Sequence, residues 1–566
     1  MGHGCRRVGE RIAASIGRIT EAATLFVKAK DISKGGVLLA LPALLSNGLL
    51  KHTKEYFKLP KGYYNLRHIF ITLAFIVLLR IKTIESIKNC SPGEIGKIIG
   101  LDRIPEIKTI RKKLSILAEQ EKAQAWNSVL SKQWMESNDE SAGILYVDGH
   151  VRVYNGKQTK LPKRYVAREK LCLRGMTDYW LNDAIGRPYF VVSKAQNSGM
   201  LAALKTDIIP RLLKEVPNQP TDEDLLNNKY KTRFSLVFDR EGYSPEFIKT
   251  MWQEYRISCY TYNKYPGQDW AEEEFREEEV KMHNGEIVKM KLAERGTYLG
   301  DKIWTREIRK IKKNGHQTSI VTTDFEPCRA AIAVSMFSRW SQENFLKYMM
   351  ENFGIDRLIE YETTPLDETI EVINPEYRQL ESKIKSVSQK LSKETSKFGK
   401  ITLAMETEKE KEDMEKYLKR KGELYESIEI YTKELDELKK KRKETAKHIQ
   451  IGELSESEKF SSLAQEKKHI MDTIKMIAYR AETAMAMIIR ERMSKPDEAK
   501  ALLRQIFVDE VDLNPDTKNN ILTITIHSLT NEKSNRIVES LCNTLNETET
   551  VFPGTNMRLF YNLVST

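Results

Sequence analysis

The stretch LVFDREGYSPEFIKTMWQEYRISCYTY, residues 236–262, decides the fold class. Leu236 to Phe238 form an apolar run that ends at Asp239, as a short buried strand does. Ser244-Pro245 is a helix start signal, because proline at the first helical position gives up an N–H that has no partner there anyway. Behind it, Phe247, Ile248, Met251 and Trp252 share one face of a 3.6-residue period. The β-prone run Ile257 to Tyr262 completes a strand, helix, strand unit, which predicts a mixed α/β domain. Upstream, from about residue 143, the same texture is present: Ile144 to Val147, Leu171 to Leu173 and Tyr189 to Val192 alternate with turns.

Residues 263–318 interrupt that rhythm with an acidic run, Glu272 to Glu274 and Glu277 to Glu279, then β-prone pieces around Ile287 and Ile303. They read as an insertion. A strand from His316 to Thr323 leads to a helix over roughly Pro327 to Glu351, with Ile332, Met336, Phe337, Trp340 and Phe345 spaced for one buried face. Residues 1–140 read mostly as helices, with breaks at Gly35-Gly36, Pro60-Lys61-Gly62 and Ser91-Pro92-Gly93.

After Pro375, Tyr377, Leu380, Ile384, Val387 and Leu391 step by three and four, and the pattern recurs from Met414 to Leu438, as in coiled-coil helices. A turn near Ser396 to Lys400 would make them an antiparallel hairpin, with a helix over Glu456 to Met493 packed on it. From 497 on, with Ile521 to Ile526 alternating apolar and Thr, the chain reads as a small α+β unit. The expected domains are therefore 1–140, helical; 141–375, α/β with the insertion; 376–496, coiled-coil-like; and 497–566.

At 566 residues the chain is too long for one hydrophobic core. Its 92 Lys plus Arg against 80 Asp plus Glu leave a net charge of +12, which favours phosphate-bearing partners without specifying one. Six scattered cysteines with no CxxC pair exclude a disulfide-stapled secreted scaffold and suit a reducing compartment. Val37 to Leu50 is interrupted by Pro42, Ser46, Asn47 and Gly48, and Ile69 to Leu79 is about half the ~20 residues of a spanning helix. Both read as core, with no membrane partner, and no secretory signal is evident.

Chemistry is signalled by acids. Asp148 follows Ile144 to Val147 and Asp239 follows Leu236 to Phe238, so two strands end in carboxylates that one sheet edge can bring together around a hard divalent cation. Glu343, midway along the expected helix and beside its buried face, supplies a third. Three such groups can hold two metal ions roughly 4 Å apart for in-line displacement at a phosphodiester. Arg339 and Lys347, four residues either side of Glu343, share its helix stripe and can grip a phosphate. Taken singly, Asp148 and Asp239 read more readily as turn caps than as metal ligands, and the stripe as a solvated face.

The order Tyr146-Val147-Asp148-Gly149-His150, Val237-Phe238-Asp239-Arg240-Glu241-Gly242 and Arg339-Trp340-Ser341-Gln342-Glu343-Asn344 resembles the DDE transposases of bacterial insertion sequences. The resemblance covers about residues 143–360 and implies an RNase H-like catalytic core. It is similar in particular to the branch whose third motif is Tyr, two residues, Arg, three residues, Glu, six residues, Lys. Met336 stands where that Tyr would be and Met350 where the Lys would be, with Lys347 as a substitute. The resemblance implies Mg²⁺, with Mn²⁺ able to replace it, nicking at element ends, and attack of a 3′-hydroxyl on target DNA. Double-stranded DNA with terminal inverted repeats, a homodimer and a bacterial or archaeal cytoplasm follow from it. An RNase H-like nuclease that does not join, and a catalytically degenerate DNA-binding scaffold, are the alternatives.

Residues 93–115 have helix-turn-helix texture, with Thr109, Arg111, Lys112 and Lys113 on the second helix available to bases or phosphates; an ordinary basic hairpin fits equally. Trp270 and Trp304 read first as core of the insertion and second as base-stacking residues. His150, next to Asp148, reads first as a partly exposed turn histidine and second as an extra metal or phosphate contact. The heptads of 377–449 suit either a dimer brace or a hairpin within one chain.

Overall fold

The computed structural model describes residues 5–138, 142–154, 161, 163–166, 169–195, 199–282, 286–300, 302–357, 363–365, 371–404, 414–455 and 461–564. The chain divides into a larger unit, residues 1–155, 166–362 and 463–566, and a smaller one, residues 156–165 and 363–462.

In the larger unit, strand β1 (Ala29–Ile32) precedes helices α1 (Leu66–Leu78), α2 (Pro92–Ile98), α3 (Ile107–Ala118) and α4 (Ala123–Glu136). Asn65 and His68 form a reciprocal capping box that starts α1, and every residue from His68 to Leu78 is buried. The apolar stretches that mimic membrane spans are core, and among the described residues no helix is long and apolar enough to cross a membrane.

The central sheet contains β2 (Ile144–Val153), β3 (Leu171–Asn182), β4 (Pro188–Ala195), β5 (Phe234–Phe238), β6 (Ile257–Tyr262), β7 (Arg276–Lys281), β8 (Ile287–Leu299), β9 (Ile303–Ile311) and β10 (Gln317–Thr322). Their order is β3-β2-β5-β6-β10-β9-β8-β7, with β4 beside β3. Pairs β2/β5 and β5/β6 are parallel and the others antiparallel. Parallel neighbours need a crossover, and α5 (Pro245–Tyr255) provides it between β5 and β6. The Ser244 side chain caps α5 by accepting from the Phe247 N–H, Phe247, Ile248 and Met251 bury its inner face, and Arg256 ends it in the left-handed region at φ +53°. All five residues of β5 are buried, as expected for a strand covered on both faces. Strands β7 to β9, which carry half of 263–318, extend this same sheet.

Two expectations about local structure are corrected. Asp148 lies within β2, which runs on to Val153 in antiparallel pairing with β3, and does not end its strand. The helix expected over Pro327 to Glu351 is two, α6 (Arg329–Phe337) and α7 (Trp340–Tyr348), followed by a π-helical turn over Met349–Phe353. Between them the Arg339, Ser341 and Gln342 N–H groups reach carbonyls three residues back, at Met336, Ser338 and Arg339, so the chain tightens and changes direction. Glu343 thus sits in the first turn of α7, not mid-helix.

The smaller unit is built from α8 (Pro375–Ala404) and α9 (Met414–Glu444), packed along each other. Strand β11 (Glu371–Ile373) pairs antiparallel with β12 (His448–Gln450), and the Asn374 N–H donates to the Lys447 carbonyl, so the start of α8 meets the end of α9. The turn expected at Ser396 to Lys400 is interior to α8; the connection falls at 405–413, outside the described residues. Leu380, Val387 and Leu435 are buried, while Leu418, Tyr425 and Ile430 stay exposed.

Helix α10 (Glu466–Arg490), expected as a partner of that hairpin, instead runs through the core of the larger unit against α1 and α4. Its 25 residues are apolar or buried along most of their length because helices and sheet surround it. Helix α11 (Ala499–Val508), strands β13 (Val511–Asp516) and β14 (Ile521–Ile526), helix α12 (Glu532–Asn546) and strand β15 (Arg558–Leu563) complete this unit. They form a sheet of order β1-β13-β14-β15, so a four-residue strand from the N-terminal, otherwise helical, region joins strands from the C-terminal one. Ala29-Lys30-Asp31-Ile32 carries no strand-like run of its own, and Asp31 takes φ +52°.

Candidate active site

Register places the first two acids together. Val147 pairs with Phe238 across the parallel β2/β5 ladder, so Asp148 and Asp239 each stand one residue beyond the same rung. Val237 pairs with Tyr260 across β5/β6, which puts Tyr262 in line with Asp239 on the next strand. Gly242 lets the turn after Asp239 lie against β5: a Cβ there would come within 2.5 Å of the Phe238 ring. The bend between α6 and α7 then brings Arg339 and Glu343 over this edge, with α6 tied to β2 by the Tyr146 hydroxyl donating to the Ser335 carbonyl at 2.7 Å.

The result is one cation among three carboxylates. Arg339 Nη1 lies 3.7 Å from Asp148 Oδ1, and Nη2 lies 4.0 Å from Asp239 Oδ2 and 3.0 Å from Glu343 Oε1. Exposure rises across the group, from 12% for the Arg339 side chain and 17% for Asp148 to 44% for Asp239 and 62% for Glu343, so the cluster has a dry floor and a wet mouth. Burial pushes the Asp148 carboxyl up to about 6, opposed by Arg339 and reinforced by the negative charges of Asp239 and Glu343. Burial disfavours the Arg339 charge, but Asp148, Asp239, Tyr262 and Glu343 outweigh it and raise its pKa.

Three acids against one arginine leave the site short of positive charge. Its donor set is entirely oxygen, the chemistry that a hard divalent cation takes. The oxygens of Asp148, Asp239 and Glu343 gather on Arg339 and not on one another. Among the described residues the one group whose ligand atoms all lie within 4.8 Å of each other is elsewhere: Asp31, Asp512 and His527, joined by the Asp31 N–H donating to Asp512 at 2.9 Å and by His527 on Asp512 at 3.1 Å. Asp239 also does what a strand-end acid does in a turn, accepting from the Arg240 N–H at 2.7 Å.

The other expected residues are not gathered here. Lys347 is exposed in the last turn of α7, one turn past Glu343. Met336, in the position of the motif tyrosine, is buried in the sheet's second core cluster, and Met350 is half-buried. Helices α2 and α3 bracket residues 99–106; on α3, Arg111 and Lys112 are exposed, Thr109 and Lys113 half-buried, while Ile110, Leu114 and Leu117 face the core. Arg111 pairs with Glu85, and burial lowers the Lys113 pKa with help from Lys112. Trp270 lies under two guanidinium groups, Arg295 at 4.6 Å and Arg309 at 4.3 Å, while Trp304 is half exposed beside Tyr298. His150 is buried within β2, not in a turn, because the strand continues past it.

Tyr262 is the residue that sequence reasoning overlooked. It lies beside Arg339, and burial raises its pKa, with Arg339 opposing and Asp239 and Glu343 adding. The available signal was its place at the end of the strand paired with the one that leads to Asp239, where a tyrosine presents its polar tip to an edge.

Comparison with known proteins adds three findings. A family profile described as "Transposase protein" matches residues 2–565. No curated protein is significantly similar to the chain. Among solved structures, a chain of the piggyBac transposase synaptic complex with hairpin DNA, determined by cryo-EM, matches with 10% identity and a TM-score of 0.28, over 56% of this chain and 65% of that one.

Proposed function

Since the chain belongs to this transposase family along almost its whole length, we propose that it cuts and rejoins DNA at the ends of a mobile element, using Asp148, Asp239 and Glu343 as a DDE set on an RNase H-like core. The observation that carries this reading is the convergence on Arg339 of acids from β2, from the end of β5 and from α7, within 4.0 Å of one guanidinium. The parallel β2/β5/β6 core with its α5 crossover, continued by antiparallel strands, supports the fold assignment. Divalent cations, Mg²⁺ in the first place and Mn²⁺ as substitute, would activate the attacking oxygen and stabilise the leaving oxygen of an in-line displacement at phosphorus.

The chain's own residues do the positioning. Asp148, on the dry floor, and Asp239 and Glu343, nearer solvent, hold the ions. Arg339 exchanges its carboxylate partners for a phosphate oxygen when DNA enters, and Lys347 meets the backbone one helical turn further on. Arg111 and Lys112, with Thr109 and Lys113 beside them on α3, contact the duplex at the element end as the second helix of a helix-turn-helix. A homodimer pairs two ends, with the α8/α9 hairpin as its brace.

The test is incubation of labelled element-end duplexes with Mg²⁺ and target plasmid. Nicks and joined products are expected, and both are lost in Asp148→Asn, Asp239→Asn and Glu343→Gln. Nicks without joined products would favour a nuclease. Full activity in all three variants would overturn the assignment.

A further inference from the structure

Beside the acid cluster the chain builds an aromatic and cationic surface to which the reading above gives no task. Tyr262 closes β6 next to Arg339, and after Asn263 come Lys264 and Tyr265. On the neighbouring turn, Arg240 comes directly after Asp239, and its guanidinium carbon lies 5.6 Å from the centre of the Tyr262 ring. Tyr243 ends the same turn, with its ring 6.3 Å from that of Tyr265 at 77° and its hydroxyl donating to Asn263 Oδ1 at 3.4 Å. Lys264 is exposed, and its Nζ lies 5.7 Å from the Tyr265 ring centre.

Tyr265 itself is 73% exposed. A tyrosine so exposed gains little from the fold, yet the Asn263 side chain accepts from its backbone N–H at 3.1 Å and fixes the turn that presents it. Three rings and two cations thus lie along the two loops that follow β5 and β6, on the edge where Asp239 stands.

We propose that Tyr243, Tyr262 and Tyr265, with Arg240 and Lys264, form a ledge for unpaired DNA nucleotides adjoining the bond that is cut. Bases stack on the exposed ring face without regard to sequence, and the two cations meet the flanking phosphates. Inside a duplex both faces of each base are covered by its neighbours, so the ledge selects DNA that is frayed or tailed beside the cleavage point. The inference rests on the acid cluster being the cleavage site, since only then does the ledge adjoin the scissile bond.

The experiment compares binding of a blunt duplex and of the same duplex with a thymidine tail, by fluorescence anisotropy in metal-free buffer with the full chain. The parent should bind the tailed form more tightly. Tyr265→Ala should weaken binding of the tailed form about tenfold, within the range of a lost base stack, and leave the blunt form unchanged, while Tyr265→Trp restores the preference. Equal binding of both forms by the parent, or an undiminished preference in Tyr265→Ala, would overturn the proposal. Cleavage by Asp239→Asn is read separately: activity retained there defeats the catalytic assignment and leaves the tail preference to be judged on its own.

Discussion

Two charged clusters share one face of β2, where Asp148, His150 and Arg152 alternate along the strand. At one end, Asp148 joins Asp239, Glu343 and the single cation Arg339, half open to water. At the other, Arg152 meets Asp178 at 3.2 Å, Lys468 of α10 lies 3.2 Å from Asp178 and pairs with Asp472, and all four side chains are buried. Ser193 adds a hydrogen bond to Asp178 at 2.6 Å. The second cluster matches two cations with two anions; the first leaves carboxylates in excess. A buried ionic group persists only when its charges are paired, whereas water tolerates a surplus of one sign at a wet edge, which is then open to an external charge of the opposite sign. The contrast separates a structural network from a candidate catalytic one on the same strand.

The sharpest way to break the comparison is to neutralise one acid in each. Asp148→Asn should reduce strand cleavage about a thousandfold or more, since the metal-held groups supply several kcal/mol of transition-state stabilisation; a loss under tenfold would place the chemistry elsewhere. Lys468→Met should act on stability, leaving Asp178 and Asp472 with too little positive charge and costing about 3–5 kcal/mol. Thermal and urea unfolding would show it, and an unchanged midpoint would mean the network is not structural.

The pH dependence of stability should have opposite signs at the two ends. The folded-state pKa of Asp148 is raised to about 6 from an ordinary 3.8, so its contribution is complete below about pH 4 and is lost as pH rises through 6. Asp148→Asn should therefore be the more stable protein above pH 6, with the gap closing toward pH 4. For Asp178, burial works upward, but Arg152, Lys468 and Ser193 together hold the carboxyl well below the usual range. Its contribution is present above about pH 4 and lost in acid, so Asp178→Asn should be less stable than the parent at neutral pH, with a gap that narrows as pH falls below 4. Chemical denaturation across pH 3 to 8 decides both. The smallest effect is expected outside either cluster: Lys112→Ala, on exposed α3, should reduce the salt slope of DNA binding by about one and leave cleavage of bound DNA intact.

The strand, helix, strand unit at 236–262 was legible because each part is declared by neighbours within one turn or two: Ser244-Pro245 starts the helix and the apolar runs bound it. The continuation of β2 past Asp148 was not, since His150 and Arg152 are polar and are buried only through partners from β3 and α10. The break at Ser338-Arg339 was hidden for a similar reason. Residues 327–351 keep a helical period throughout, and no Pro or Gly marks the place where the hydrogen bonds tighten. Strand β1 was missed because its partner lies at the far end of the chain, and four residues with a left-handed Asp31 carry no pattern of their own.

By itself the sequence determined the α/β class of the middle region, the helical hairpin beyond residue 375, and the order in which the acids occur, all of which depend on residues a few positions apart. Only the tertiary structure decided that Asp148, Asp239 and Glu343 meet on Arg339, that Tyr262 joins them, and that Arg152 closes a neutral network with Lys468. Those meetings depend on the β2/β5/β6 register and on packing between segments hundreds of residues apart, and local propensity carries no information about either.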